Sequence, residues 1–244
     1  MRNILLTITY EGSAYHGWQV QENALTVQQA LQDALESLFG SRPAVTGCSR
    51  TDTGVHASMF CCNFRANSSL ECERIMAALN HFLPEDIAVN GCREVPWGFH
   101  ARYDCLGKRY KYLIWNGPVR NPFYINRAFH YRYPLDENML DEAARQFIGT
   151  FDFSAFCASG SSTLSKTRTI SHAEVRRKGD IVEFTVEGDG FLYNMVRIMA
   201  GTLIYIAEGR IDKSGIGDII KSGDRSRAGF TAPAEGLYLD EVSY

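Results

Sequence analysis

Strand-like segments that are joined in two different ways constrain the fold of this chain most strongly. Residues 169–177 and 181–187 alternate in polarity and flank a Lys-Gly-Asp turn, a pattern that predicts a β-hairpin. Elsewhere a helix separates two strand-like segments: Thr26 is placed to cap it, and its apolar residues recur every three or four positions until Gly40. Hairpins alongside helical connections predict an α+β protein with a largely antiparallel sheet.

The two halves of the chain show a similar order of elements, although no sequence repeat links them. Each half offers several strands and at least two helices. We therefore predict two pseudo-symmetric α+β halves, 1–105 and 106–244, that share a mostly antiparallel sheet with helices on one face. The functional site is expected in a central basic cleft between these halves.

Basic residues are concentrated in the middle of the chain, although its formal net charge is -3. Residues 93–132 carry eight basic residues against two acidic ones, whereas residues 1–40 carry one against four. Such a distribution is typical of a localised site for a polyanion, and also of strand faces exposed to solvent. Charge alone leaves both interpretations open.

Composition and targeting signals exclude several classes of protein. Hydrophobic residues make up 45% and charged residues 22%, which excludes intrinsic disorder. No apolar run reaches the ~20 residues of a membrane helix, and the N-terminus turns polar before a signal-peptide core forms. We therefore expect a cytoplasmic protein without membrane association.

The seven cysteines predict reduced, buried thiols rather than a metal site. Their number is odd and no pair has CxxC spacing, while the six histidines are scattered. A zinc site would need these residues clustered at ligand spacing. Signatures for nucleotide binding, metalloproteases and serine hydrolases are also absent, so the sequence implies no cofactor and no metal.

The segment R-T-D-T-G-V-H-A, residues 50–57, is the most informative about chemistry. Asp52 follows a strand and precedes a turn, beside Arg50 and two threonines. Neighbouring cations and hydrogen bonds favour an ionised carboxylate, which can act as a nucleophile or a base. The local pattern by itself favours a structural interpretation, in which Asp52 caps the turn and Gly54 adopts the left-handed conformation.

This segment resembles the R-T-D-x-G-V-H-A signature of the tRNA pseudouridine synthase A family. Four further segments resemble blocks of that family in the same order: ITYEGSAYHGWQ, FHARY with KRYKY, FLYNMVRIMAG and AEGLYL. Together they run from residue 8 to residue 239. The sequence departs from the family pattern at Ser49, Thr53, 189–190 and Asn194, and none of these changes removes an acid, aromatic or base that the chemistry needs.

The resemblance implies an isomerase that converts uridine to pseudouridine in the anticodon stem-loop of tRNA, at tRNA positions 38–40, without a cofactor. It implies a homodimer, with the target base flipped out of its stack. Asp52 corresponds to the catalytic aspartate; whether it attacks the sugar C1′, attacks the base C6 or first acts as a base stays open. Tyr110 corresponds to the aromatic residue that stacks on the uracil. Arg197 would pair with Asp52, and Arg50 would fill the space that the flipped base leaves.

Several alternatives remain open from the residues themselves. Tyr110 also fits a tyrosine packed in the core, and Arg197 fits a helix-surface arginine, although its apolar neighbours indicate a buried setting. Residues 109–112 fit an aromatic platform of an RNA-binding module that has no activity. A glycoside-cleaving enzyme that releases the free base is the second alternative. His56 is interpreted as a structural hydrogen-bonding residue.

Overall fold

A computed structural model describes residues 1–160 and 163–244 of the chain. Ten strands and five α-helices occur in this part, and most strand pairs are antiparallel, which confirms the α+β class. None of its helices has the length and apolar character needed to cross a bilayer. In chain order the elements are β1 (Arg2–Tyr10), α1 (Val27–Phe39), β2 (Val45–Gly47), β3 (His56–Ala66), α2 (Cys72–Phe82), β4 (Ile87–Val95), β5 (Gly107–Trp115), β6 (Phe129–His130), α3 (Glu137–Ala144), β7 (Gly149–Asp152), β8 (Thr167–Lys178), β9 (Ile181–Gly188), α4 (Met195–Ala207), α5 (Ile216–Ser222) and β10 (Leu237–Ser243).

The chain forms two compact units. The first unit contains Met1–Leu106 together with the C-terminal residues Tyr238–Tyr244, and the second unit contains Gly107–Leu237. Most of β10 therefore belongs to the first unit, where it pairs in parallel with β3. No local feature of the sequence indicates this long-range connection.

In the first unit, β1 lies between β3 and β4 and is antiparallel to both. The helix predicted between Thr26 and Gly40 is confirmed as α1. The Thr26 side chain accepts a hydrogen bond from the Gln29 amide, and Gly40 ends the helix with φ 66°. Val27 and Leu31 lie on its buried face.

Helix α2 covers the outer edge of β4. The side-chain amide of Asn80 donates to the Val89 carbonyl at 2.9 Å and accepts from the Val89 amide at 2.7 Å, so it pairs with backbone groups of an edge strand. The apolar spacing of 71–82 predicts that Phe82 lies on the buried face of this helix, and that prediction is wrong. The helix ends at Phe82, which is 46% exposed, and the next residue, Leu83, is buried instead.

In the second unit, β9 lies between β5 and β8, and β7 pairs with the other edge of β8. The predicted hairpin is confirmed as β8 and β9, with Gly179 at φ 60° in the turn. The sequence of 128–133 predicts a strand over its full length, but the strand is shorter: only Phe129–His130 pairs, in parallel with the end of β5.

Helix α4 is buried on nearly all sides, and its start differs from the prediction. Apolar periodicity predicts a helix over 191–207, but the helix begins at Met195, because Asn194 has a left-handed backbone with φ 59°. Gly201 allows the Phe230 carbonyl to lie directly against the helix, where a Cβ atom would collide with it. The segment that follows α5 therefore packs closely on the helix that carries Arg197.

Candidate active site

Asp52 lies in a tight turn just before β3. The Asp52 carbonyl accepts a hydrogen bond from the Val55 amide at 3.1 Å, and Gly54 has φ 77°. This confirms the left-handed glycine that the sequence predicts. The Asp52 side chain is half-buried, while Arg50, two residues earlier on the same segment, is exposed.

The loop after β1 holds this turn from both sides. The Trp18 amide donates to the Thr51 carbonyl at 3.1 Å, and the Gly54 amide donates to the Tyr15 carbonyl at 3.2 Å. The Tyr10 hydroxyl is 2.8 Å from the Thr51 hydroxyl in a buried hydrogen bond. These bonds fix the backbone before and after Asp52, so the carboxylate is presented from a rigid support.

Two glycines permit this close approach of loop and turn. Gly17 has φ 79°, and a Cβ atom there would collide with the Thr51 carbonyl and lie 3.1 Å from the Asp52 carbonyl carbon. A Cβ atom at Gly12 would collide with the Val55 carbonyl. The segment Y-E-G-S-A-Y-H-G-W, which carries part of the family resemblance, is thus the structural partner of the R-T-D-T-G-V-H-A segment.

Replacing Gly17 by alanine should destabilise the protein more than the same change at Gly40. Gly40 has a similar φ of 66° but open space around it. G40A therefore loses only the free energy of holding alanine in a left-handed backbone, about 1–2 kcal/mol. G17A adds the collision with Thr51. Denaturant unfolding measures both losses, and equal values for the two variants would mean that the loop does not press on the turn.

His56 has the structural role that the sequence predicts. Its ring is 1% exposed and stacks on Tyr238 with the centroids 4.6 Å apart. Nδ1 accepts a hydrogen bond from the Gly12 amide at 2.9 Å, and Glu11 Oε1 lies 3.3 Å from the same nitrogen. The histidine therefore joins β3 to the loop that holds the Asp52 turn.

Tyr110 lies on β5 in the second unit, with its side chain 6% exposed. Its ring meets Phe191 edge to face, with centroids 5.0 Å apart and planes at 77°. Tyr112 lies on the same face of the strand and is fully buried, and its hydroxyl donates to the Pro233 carbonyl at 2.8 Å. Burial raises the pKa of Tyr112 well above its usual value. Because both rings are buried, β5 does not present them as the open aromatic platform of the alternative interpretation.

Arg197 lies in the first turn of α4 and is held by two acceptors of the second unit. Its Nε donates to the Ala232 carbonyl at 2.7 Å, and its Nη1 donates to Asn194 Oδ1 at 2.8 Å. The side chain is half-buried, as its apolar neighbours indicated, so it is not a helix-surface arginine. In the segment just before β10, burial raises the pKa of the Glu235 carboxyl.

Seven of the eight basic residues of 93–132 fall into two groups, and the eighth, Lys108, is half-buried on β5. Arg109 and Lys111 on β5 pair with Glu187 and Glu183 of the neighbouring strand β9, at 2.5 Å and 3.9 Å. These two residues therefore fit the interpretation as charges on a strand face rather than as part of a polyanion site. The exposed members of the window are Arg93, Arg102, Arg120, Arg127 and Arg132.

The predicted site residues thus fall into two local groups. Arg50 and Asp52 share the turn of the first unit, and Tyr110 and Arg197 lie on β5 and α4 of the second. The sequence did not predict the roles of Thr51 and Asn194. Thr51 lies inside the signature but was given no role of its own, and Asn194 stood out only as a departure from the family pattern. Throughout the described ranges, histidine, cysteine and acidic residues form no group of three that could hold a metal ion, and the seven cysteines are unbridged.

Comparison with known proteins assigns these features to a family. Residues 6–104 and 143–244 match the family described as tRNA pseudouridine synthase. Over 244 residues, with both chains fully covered, the sequence is 48% identical to the tRNA pseudouridine synthase A of Acetivibrio thermocellus and 46% identical to that of Thermoanaerobacter pseudethanolicus. It is also 48% identical to the tRNA pseudouridine synthase A of Ruminiclostridium cellulolyticum over 245 residues, with both chains fully covered. The chain therefore belongs to the tRNA pseudouridine synthase family, whose members convert uridine in tRNA to pseudouridine.

Proposed function

We propose that this chain is a cytoplasmic, homodimeric enzyme that isomerises uridines of the tRNA anticodon stem-loop, at tRNA positions 38–40, with Asp52 as the catalytic residue. The observation that carries the proposal is the Asp52 turn. A family signature lies there on a backbone fixed from both sides by hydrogen bonds from the loop after β1. Such support is what a catalytic carboxylate requires.

The reaction is an isomerisation, so nothing is consumed. The N1–C1′ bond breaks, a C5–C1′ bond forms, and the proton at C5 is lost while N1 gains one. Asp52 supplies the carboxylate for this exchange, either as a nucleophile or as a base. Its route, through C1′, C6 or proton removal, does not change the overall balance.

Tyr110 and Arg197 complete the proposed machinery. Tyr110 stacks on the flipped uracil, which requires a covering side chain to move aside, and Phe191 is the aromatic neighbour whose edge meets its ring. Arg197 pairs with Asp52 and keeps it ionised, because an opposite charge favours the carboxylate form.

Binding of the stem-loop is assigned to the exposed arginines. Arg93, Arg102, Arg120 and Arg127 provide phosphate contacts, which give affinity without sequence information. Arg50 enters the space that the flipped base leaves in the stack, and its exposure is suited to this role. Extrusion of the base costs a few kcal/mol, which these contacts offset.

The substrate position is tested with three stem-loop RNAs, each with a single uridine at position 38, 39 or 40. Pseudouridine is then mapped nucleotide by nucleotide after incubation with the enzyme. We expect product at these positions and none in a stem-loop that has its only uridine elsewhere. Product only at a uridine outside the anticodon arm would contradict the assignment.

The dimer prediction has a structural correlate in the loop after β5. Val119, Phe123 and Ile125 are 71%, 84% and 57% exposed, an apolar group that a second copy of the chain would cover. Light scattering at micromolar concentration is expected to give about twice the chain mass of 27.4 kDa. A monomeric mass under these conditions would contradict the proposal.

A further inference from the structure

Asn194 combines two features that cost stability at the start of α4. Its backbone is left-handed, with φ 59°, whereas a residue at the N-cap of a helix usually has an extended backbone. Its side chain also makes no capping hydrogen bond to the helix, although asparagine is among the best capping residues. Local strain of this kind is typical of residues kept for a function.

The Asn194 side chain is used for Arg197 instead. Its Oδ1 accepts a hydrogen bond from Arg197 Nη1 at 2.8 Å. In a capped helix the Asn194 side-chain oxygen would accept from a backbone amide of the first turn. Here it accepts from the Arg197 guanidinium instead. Hydrogen bonds to a charged group are stronger than those between neutral groups, so the exchange favours arginine positioning over helix capping.

A second acceptor fixes the guanidinium plane. Arg197 Nε donates to the Ala232 carbonyl at 2.7 Å, and the Ala232 amide donates to the Arg197 carbonyl at 3.1 Å. The segment that carries Ala232 is itself fixed, because Arg225 donates to the Gly229 carbonyl at 2.8 Å and Gly229 packs against α4 at Gly201. Because Nε and Nη1 of the planar guanidinium each donate to a different acceptor, the group is held in one orientation.

We propose that Asn194 is a positioning residue for pseudouridine formation: it fixes the orientation of the Arg197 guanidinium for the role proposed for that arginine above. The inference rests on the function proposed above. It predicts that Asn194 affects the catalytic step through Arg197 and contributes little to tRNA binding.

The first test compares two substitutions at this position. Asn194→Gly removes the acceptor but relieves the strain of the left-handed backbone, so the two effects on the unfolding temperature oppose each other and its change should be small. We expect its kcat to fall about 10–100-fold, the loss of a hydrogen bond to a charged group, with KM for tRNA nearly constant. Asn194→His tolerates the same backbone and offers a ring nitrogen as acceptor, and should restore most of kcat.

The second test is a double-mutant cycle with Arg197→Lys. If Asn194 acts through Arg197, the glycine substitution should reduce kcat much less in the lysine background than in the wild type. Equal reductions in both backgrounds would overturn the proposal. So would a large fall in the unfolding temperature of Asn194→Gly, with no recovery of kcat in Asn194→His, because it would indicate a structural role.

Failure of this inference differs from failure of the proposed function. Wild-type kcat in Asn194→Gly, together with an inactive Asp52→Asn enzyme, would overturn the role of Asn194 alone. Activity in Asp52→Asn would instead overturn the proposed function.

Discussion

Replacing Asp52 by asparagine is expected to reduce pseudouridine formation by at least about 10⁴-fold, the upper end of the effect of a missing acid–base group. Asparagine keeps the shape of the side chain, and backbone bonds and the Thr51 hydroxyl support the turn. The variant should therefore fold and bind tRNA with nearly unchanged affinity. Product analysis and filter binding with the same tRNA measure the two quantities.

A matched control is Asp33→Asn. Asp33 is an exposed acid on α1 that lies outside the signature and pairs with Arg42 at the surface. Its loss removes the same charge and should leave turnover unchanged. If Asp52→Asn retained activity while binding tRNA, the chain would use another group, and the proposed mechanism would be wrong.

Substitutions of Tyr110 should separate stacking from proton transfer. Tyr110→Phe keeps the ring, so capture of the flipped uracil should persist, while turnover falls about 10²–10⁴-fold if the phenol assists proton removal at C5. Tyr110→Leu also loses base stacking, worth about 1–3 kcal/mol, and should weaken capture of the flipped base. Single-turnover kinetics and tRNA binding distinguish the two losses.

Tyr112→Phe is the control for these variants. Tyr112 lies on the same face of β5, and its hydroxyl bonds the Pro233 carbonyl. Its removal should lower stability with little effect on turnover. Full turnover in Tyr110→Phe would exclude the proton-transfer role and leave only the stacking role. Full turnover in Tyr110→Leu would exclude both roles and mean that Tyr110 is an ordinary core residue.

Local pattern was enough to predict most individual elements. The N-cap Thr26, the apolar stripe of α1 and the terminal Gly40 all act within one helix, so they can be read directly from the sequence. The β8–β9 hairpin depends on a turn of two residues and is equally local. Gly54 was predicted for the same reason.

The features that the sequence did not predict are not set by apolar periodicity. Apolar periodicity runs through 191–194, but the hydrogen bond from Arg197 and the left-handed Asn194 delay the start of α4. The parallel pairing of Tyr238 with His56 brings together residues from opposite ends of the chain. No periodicity predicts such pairs, because they are decided by tertiary packing.

The candidate site shows the same division. Asp52 and Arg50 stand in a short signature that the sequence displays, whereas Thr51, Gly12 and Gly17 gain their meaning only from the loop that packs on the turn. The meeting of Asp52, Tyr110 and Arg197 in one basic cleft stays a prediction.

The most direct test of the central claim is tritium release from tRNA that carries tritium at C5 of its uridines. The wild-type enzyme should release tritium with the RNA chain intact and free of abasic sites, and Asp52→Asn should release none. Abasic sites would favour the glycoside-cleaving alternative. Binding of tRNA by the wild-type chain without tritium release would favour an RNA-binding module, and either result would contradict the assignment of this chain as an Asp52-dependent pseudouridine synthase.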